Sequence, residues 1–115
     1  MSTFAPDVVE FDVVNPLRHI GSDGARTRAE EWFASFRGPI GYEVRDLSIA
    51  TGDDAAFSHH LYRVSGTLTD GGNVAMWVRA TLCYRRVEGA WIVTHAHNSV
   101  PFDVESGRAS LDLEP

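Results

Sequence analysis

The chain has no lysine, a single cysteine and no apolar run near the roughly 20 residues that a membrane-spanning helix needs. Each shortage closes a class of function. All ten basic residues are arginine, so Schiff-base chemistry on a lysine amine is excluded. A lone Cys83 forms no internal disulfide and fits a reducing compartment. The N-terminus carries no signal-peptide pattern, and a cytoplasmic protein without a membrane partner is expected. Positive charge is also short: a net charge of -6 argues against a nucleic-acid partner, which needs a basic face to displace counterions. What remains is an ordinary soluble composition, 43% hydrophobic and 23% charged over 115 residues, enough for one domain spanning 1–115 with its own core.

Within that composition Asp12 stands out. It interrupts the apolar run Val8-Val9-Glu10-Phe11-Asp12-Val13-Val14, which reads as a half-buried strand ending at Asn15-Pro16. An acid in such a strand is either satisfied by a partner or kept for chemistry. Gly21-Ser22-Asp23-Gly24 then reads as a turn with Ser22 or Asp23 as N-cap. Ala25, Ala29, Trp32, Phe33 and Phe36 recur at helical spacing, and Gly38-Pro39 marks the stop. Trp32 and Phe33 are expected in the core. Strands are predicted near 42–50, 55–68, 74–86 and 90–100, separated by Thr51-Gly52-Asp53-Asp54, Asp70-Gly71-Gly72 and Glu88-Gly89. One helix and five strands make an α+β domain whose antiparallel sheet is strongly curved.

Turn lengths assign faces. A two-residue loop at Glu88-Gly89 sets Arg79 opposite Asn98, Thr81 opposite Ala96 and Cys83 opposite Thr94. Met76, Val78, Ala80, Leu82 and Tyr84 then share the other side with Val93, His95, His97 and Ser99. A tight turn at 51–54 puts His59 opposite Asp46 and Arg63 opposite Tyr42. A three-residue loop at Asp70-Gly71-Gly72 brings Arg63 beside Arg79, and a two-residue loop separates them. On this reading one face holds Tyr42, His59, Arg63, Trp77, Arg79 and Asn98 as a pocket suited to an anion, since guanidinium forks match carboxylates. The other, apolar face is the outer one and is expected to be covered by a second copy, giving a homodimer.

Three segments carry a resemblance to a known family. Residues 4–14, Phe4-Ala5-Pro6-Asp7-Val8-Val9-Glu10-Phe11-Asp12-Val13-Val14, with the helix ending Trp32-Phe33, resemble the first strand and following helix of ketosteroid isomerases. Arg63-Val64-Ser65, Gly71-Gly72, Tyr84-Arg85-Arg86, Gly89-Ala90-Trp91 and His95-Ala96-His97-Asn98-Ser99 resemble the SnoaL-like group. The same residues are similar to the association domain of calcium/calmodulin-dependent kinase II. All belong to the nuclear transport factor 2-like superfamily, which implies a cone-shaped fold enclosing a pocket. The resemblance places Asp12 at the general base of the isomerases, and Arg63 and Asn98 at pocket-arginine positions of the association domain. The chain departs from the isomerases where their N-terminal helix and its oxyanion-stabilising tyrosine would stand, and Arg79, Ala80 and Thr81 lie where a second oxyanion acid is expected.

The functional expectation is a pocket for a small organic ligand and a cofactor-free proton transfer next to a carbonyl, such as isomerisation, cyclisation or dehydration. Asp12 is the base, and Arg63, Arg79, Trp77 or His59 are donors. The alternative is a non-catalytic ligand-binding or oligomerisation module with an anion-binding arginine pocket. His95-x-His97 invites a metal, but the acid that would follow such a pair in a cupin is missing. No metal is expected, and His97 is a second-choice site residue.

Overall fold

The computed structural model describes residues 3–115. In chain order these form β1 (Thr3–Phe11), β2 (His19–Ile20), α1 (Ser22–Ala34), β3 (Phe36–Thr51), β4 (Ala55–Leu68), β5 (Asn73–Val87) and β6 (Ala90–Ser99). They build a six-stranded, unclosed sheet in the order β2-β1-β6-β5-β4-β3. Pairing is antiparallel throughout except between β1 and β6, which run parallel. The two-residue β2 was not read from the sequence, because two residues carry no periodicity. The first strand ends at Phe11, so Asp12 lies one residue beyond it rather than inside it.

The helix starts and stops differently from its sequence signals. Its N-cap is Gly21, whose φ of 106° needs glycine, and no side chain caps the first turn. The Gly21 amide donates to the Val8 carbonyl at 2.8 Å, fastening the helix entry to β1. The last turn closes at Ser35, whose hydroxyl donates to the Trp32 carbonyl. Gly38-Pro39 therefore lies inside β3, where the register with β4 shifts between Arg37 and Gly41. Proline is tolerated there because β3 is an edge strand and its missing N–H leaves no ladder bond unmade. Trp32 and Phe33 are 41% and 58% exposed, not core: they stack edge-to-face on each other, and Trp32 also on Phe36.

Two turns set the register of the main sheet. Leu68 and Gly72 bond across a three-residue loop, Thr69 to Gly71, one position earlier than the sequence suggested. β4 and β5 then pair without interruption from Ala55↔Arg85 to Thr67↔Asn73, so Arg63 lies opposite Trp77 and Arg79 opposite Leu61. At Glu88-Gly89 both residues have positive φ, 50° and 81°, the signature of a two-residue hairpin loop. The expected pairs hold from Val87↔Ala90 to Tyr84↔Val93, and there a bulge at Thr94 shifts the register by one. Beyond it Cys83 faces His95, Thr81 faces His97, Ala80 faces Asn98 and Arg79 faces Ser99.

The bulge decides which side each β6 residue occupies. Ala96 and Asn98 join Met76, Val78, Ala80, Leu82 and Tyr84, while His95 and His97 join Thr81 and Cys83. The first set faces α1, as Arg28 on the helix pairs at 3.3 Å with Glu10, which lies level with Ala96. This inner face contains the core: Val8, Val93 and Ala96, packed by Phe4, Leu82 and Tyr84, with Val78, Ala80 and Val64 alongside. The expected assignment is thus reversed: the apolar Met76–Tyr84 stripe looks inward, and Arg63, Arg79, Trp77 and His59 look outward.

Two backbone positions test this account. Glu88 holds a left-handed conformation that asparagine tolerates better, so Glu88→Asn should raise stability by about 0.5–1 kcal/mol, read as a Tm increase of a few degrees. Gly21→Ala should cost about 1–3 kcal/mol in urea unfolding, because a Cβ is strained at its φ and ψ.

Candidate functional site

A polar row crosses the inner face at the level where β1 ends. Phe11 pairs with His97, so Asp12 lies level with Asn98. Asn98 pairs with Ala80, and Ala80 in turn with His60. Ala80 is buried and has only a methyl group, so the row has a low floor between Asn98 and His60. Tyr62, two residues from His60 on the same face, spans that floor, and its hydroxyl donates to Asn98 Oδ1 at 3.3 Å. Tyr42 from β3 stacks on Tyr62 with ring centres 5.2 Å apart.

Asp12 is partly buried, and its Oδ1 accepts the Val13 amide at 2.7 Å. Among the described residues the ion pairs are Arg28–Glu10 and Arg45–Glu43, so no arginine neutralises Asp12. The carboxylate borders an open cleft of about 430 Å³ together with Phe11, Leu17, Arg18 and His97. A second open depression, about 530 Å³, lies at the far end of β4 and β5, with Cys83 and Arg85 in its wall. It is remote from the polar row.

Electrostatics separate the roles of the two inner-face donors. Burial pushes the Tyr62 phenol well above its usual range, and the neighbouring Tyr42 and the negative charge of Asp12 push it further. Tyr62 is therefore a neutral O–H donor at any physiological pH. Burial, then the proximity of His59, lowers His60, which favours the uncharged imidazole. His60 Nδ1 is enclosed without a hydrogen-bond partner. Such a group costs on the order of 1–3 kcal/mol when left unpaired.

Of the residues singled out in the sequence, the structure brings Asp12, Asn98 and Tyr42 to this one face. It places His59, Arg63, Trp77 and Arg79 on the other. There Arg79 Nε donates to Ser99 Oγ at 3.1 Å, Trp77 Nε1 donates to Glu114 at 3.3 Å, and Arg45 lies over the Trp77 ring at 5.2 Å. His97 is also outward, edge-on to Phe11, and His95 Nδ1 contacts the Val9 carbonyl at 2.7 Å. No group of three His, Cys, Asp or Glu side chains converges on a metal position among the described residues. Sequence reasoning missed His60 and Tyr62. The signal was alternation: each is one residue from a position assigned to the pocket, and a one-residue register error exchanges the faces.

The model of the SnoaL-like domain matches residues 1–103. A nuclear transport factor 2-like protein of unknown function from Pseudomonas putida KT2440 is 33% identical, with a TM-score of 0.86 over 97% of this chain and 78% of that one. A proposed calcium/calmodulin-dependent protein kinase II association domain from Xanthomonas campestris shares the fold at 20% identity, TM-score 0.72, covering 88% and 71% of the two chains. A proposed ketosteroid isomerase from Shewanella frigidimarina does so at 19% identity, TM-score 0.70, covering 84% and 76%. No protein of curated function matches the chain in sequence. The fold and the family model agree, and the chain belongs to the SnoaL-like domain family, with a nuclear transport factor 2-like α+β fold.

Proposed function

We propose that the polar row of the inner face, together with the cleft at the end of β1 that Asp12 borders, binds a small molecule from which Asp12 removes a proton next to a carbonyl. The observation that carries this reading is the juxtaposition of an Asp12 free of any arginine partner with a phenol, Tyr62, near enough to feel its charge. The Asp12 carboxylate takes the proton, the C–H electron pair moves into the carbonyl, and the resulting enolate oxygen accepts a hydrogen bond from Tyr62. Return of the proton from Asp12 to a different carbon gives an isomer; attack of the enolate carbon on a second carbonyl gives a ring whose alkoxide takes that proton; departure of a β-hydroxyl, which takes the proton from Asp12 and leaves as water, gives a dehydrated product. The chain's own residues supply base and donor, so the reaction needs no cofactor.

The outer face supports a second role. It exposes Phe57 and Phe11 and carries the guanidinium groups Arg45, Arg63 and Arg79, of which Arg45 pairs with Glu43. A homodimer accompanies the pocket in our reading, through this face rather than through the apolar Met76–Tyr84 face that the sequence suggested, which looks inward. Were the domain only a binding or oligomerisation module, this face would act and the pocket would hold a ligand unchanged.

Hydrogen–deuterium exchange at the α-carbon of cyclic ketones, followed by proton NMR in D2O, separates the two. Wild type should accelerate exchange, Asp12→Asn should lower the rate by about 100-fold or more, and Tyr62→Phe by about 100-fold. Because the Tyr62 phenol is held above its ordinary value of 10.0, the rate should show no alkaline fall below that pH. A wild-type rate equal to buffer would sink the catalytic reading. Sedimentation equilibrium of wild type and Phe57→Arg reads the outer face, with a shift from dimer to monomer expected in the variant.

A further inference from the structure

His60 is an inner-face group that the proton transfer leaves unused. It lies directly across Ala80 from Asn98, and its ring centre is 5.9 Å from that of Tyr62. Its Nδ1 is enclosed with neither a donor nor an acceptor beside it. An imidazolium carries N–H on both nitrogens and would leave a bare N–H in that enclosed position. The neutral ring with its proton on Nε2 avoids this, and it leaves a single N–H without a partner. Two residues away on the same strand face, the Tyr62 hydroxyl is a second donor, and it spends its proton only on a long 3.3 Å bond to Asn98. A ligand oxygen with two lone pairs satisfies both.

We infer that His60 Nε2–H and the Tyr62 hydroxyl together form a two-donor site for one ligand oxygen of carbonyl, enolate or phenolate type. The inference rests on the inner face being the pocket, and it deepens that reading by assigning the second donor. The strand brings the two residues together: positions i and i+2 project from one face, and the two rings stand 5.9 Å apart beside the Ala80 floor. The donors stand on β4, whereas Asp12 comes from the end of β1 with β6 and β5 between. The oxygen and the proton to be removed are thereby approached from opposite sides of the row.

The probe is 4-nitrophenolate, whose absorbance reports hydrogen bonding to its oxygen, titrated at a pH above its own pKa. Wild type should bind with a spectral shift. His60→Phe should weaken binding about 10- to 100-fold, the range for losing a hydrogen bond to a charged group. His60→Gln, whose amide places an N–H near the position of Nε2, should recover most of that loss and guards against a folding defect in the phenylalanine variant. Tyr62→Phe should weaken binding similarly, and Asp12→Asn should tighten it by removing a negative charge. A wild type that does not bind the probe, or His60→Phe and His60→Gln proteins that bind it as tightly as wild type, would overturn the inference. Ketone exchange reads the catalytic proposal separately. Probe binding that depends on His60 without any wild-type exchange leaves the two-donor site standing and removes the reaction. Exchange without His60 dependence does the reverse.

Discussion

One extra residue in β6 governs the chemistry of both faces of the sheet. Up to Val93 the strand follows the register imposed by the Glu88-Gly89 turn; at Thr94 the backbone bulges, and its hydroxyl donates to the Cys83 carbonyl at 3.3 Å. Every later side chain is thereby reflected to the other side. Ala96 and Asn98 turn into the core and the polar row, and His95 and His97 turn outward against Phe11. The parallel pairing of β1 with β6 transmits the same choice, because His95 Nδ1 holds the Val9 carbonyl and fixes β1 beside it. Without the bulge, Asp12 would lie level with a residue pointing away from it.

Much of the architecture was legible because it depends on periodicity and turn chemistry. The helix in α1, the four long strands and the Glu88-Gly89 hairpin all leave local signals of several residues. The bulge leaves none: Thr94 is an ordinary strand residue, and a one-residue insertion is resolved only by which side chains fit the core. The structure shows its effect in the burial of both Val93 and Ala96, three apart, which strict alternation cannot produce. The pocket assignment inherited the error. Arginines in the middle of strands drew the site to the face they occupy, whereas the inner face marks its polar row with the less conspicuous Tyr62, His60 and Asn98. Asp12 was singled out for a different reason, because an acid in an apolar run is visible before any register is known.

The polar row shows how a sheet can hold polar groups without an ion pair, the Arg28–Glu10 pair lying apart from it between helix and β1. Asp12 satisfies one lone pair through the next backbone amide, Tyr62 leans on Asn98, and Ser58, almost fully buried, shares a hydrogen bond with the Tyr84 hydroxyl. Each of these is a neutral or local contact, so the region avoids the desolvation cost of a buried salt bridge. It also keeps its donors uncommitted. An arginine within reach of Asp12 would have bound it and fixed its charge in place, whereas Arg28 is taken up by Glu10.

β3 carries a consequence of a different kind. It is a 16-residue edge strand with exposed Tyr42, Val44 and Ile49, and a strand that long and apolar is an open template for another chain to pair with. Its two irregularities interrupt that template. Gly38-Pro39 removes a donor at one end, and the shift at Arg45–Ser48, with Asp46 at a φ of 57°, breaks the row of outward carbonyl and amide groups near the middle. No uninterrupted stretch is left that matches a foreign strand along its length. The irregularities of β3 thus also protect the chain from edge-to-edge aggregation, and straightening the strand would trade solubility for a more regular ladder.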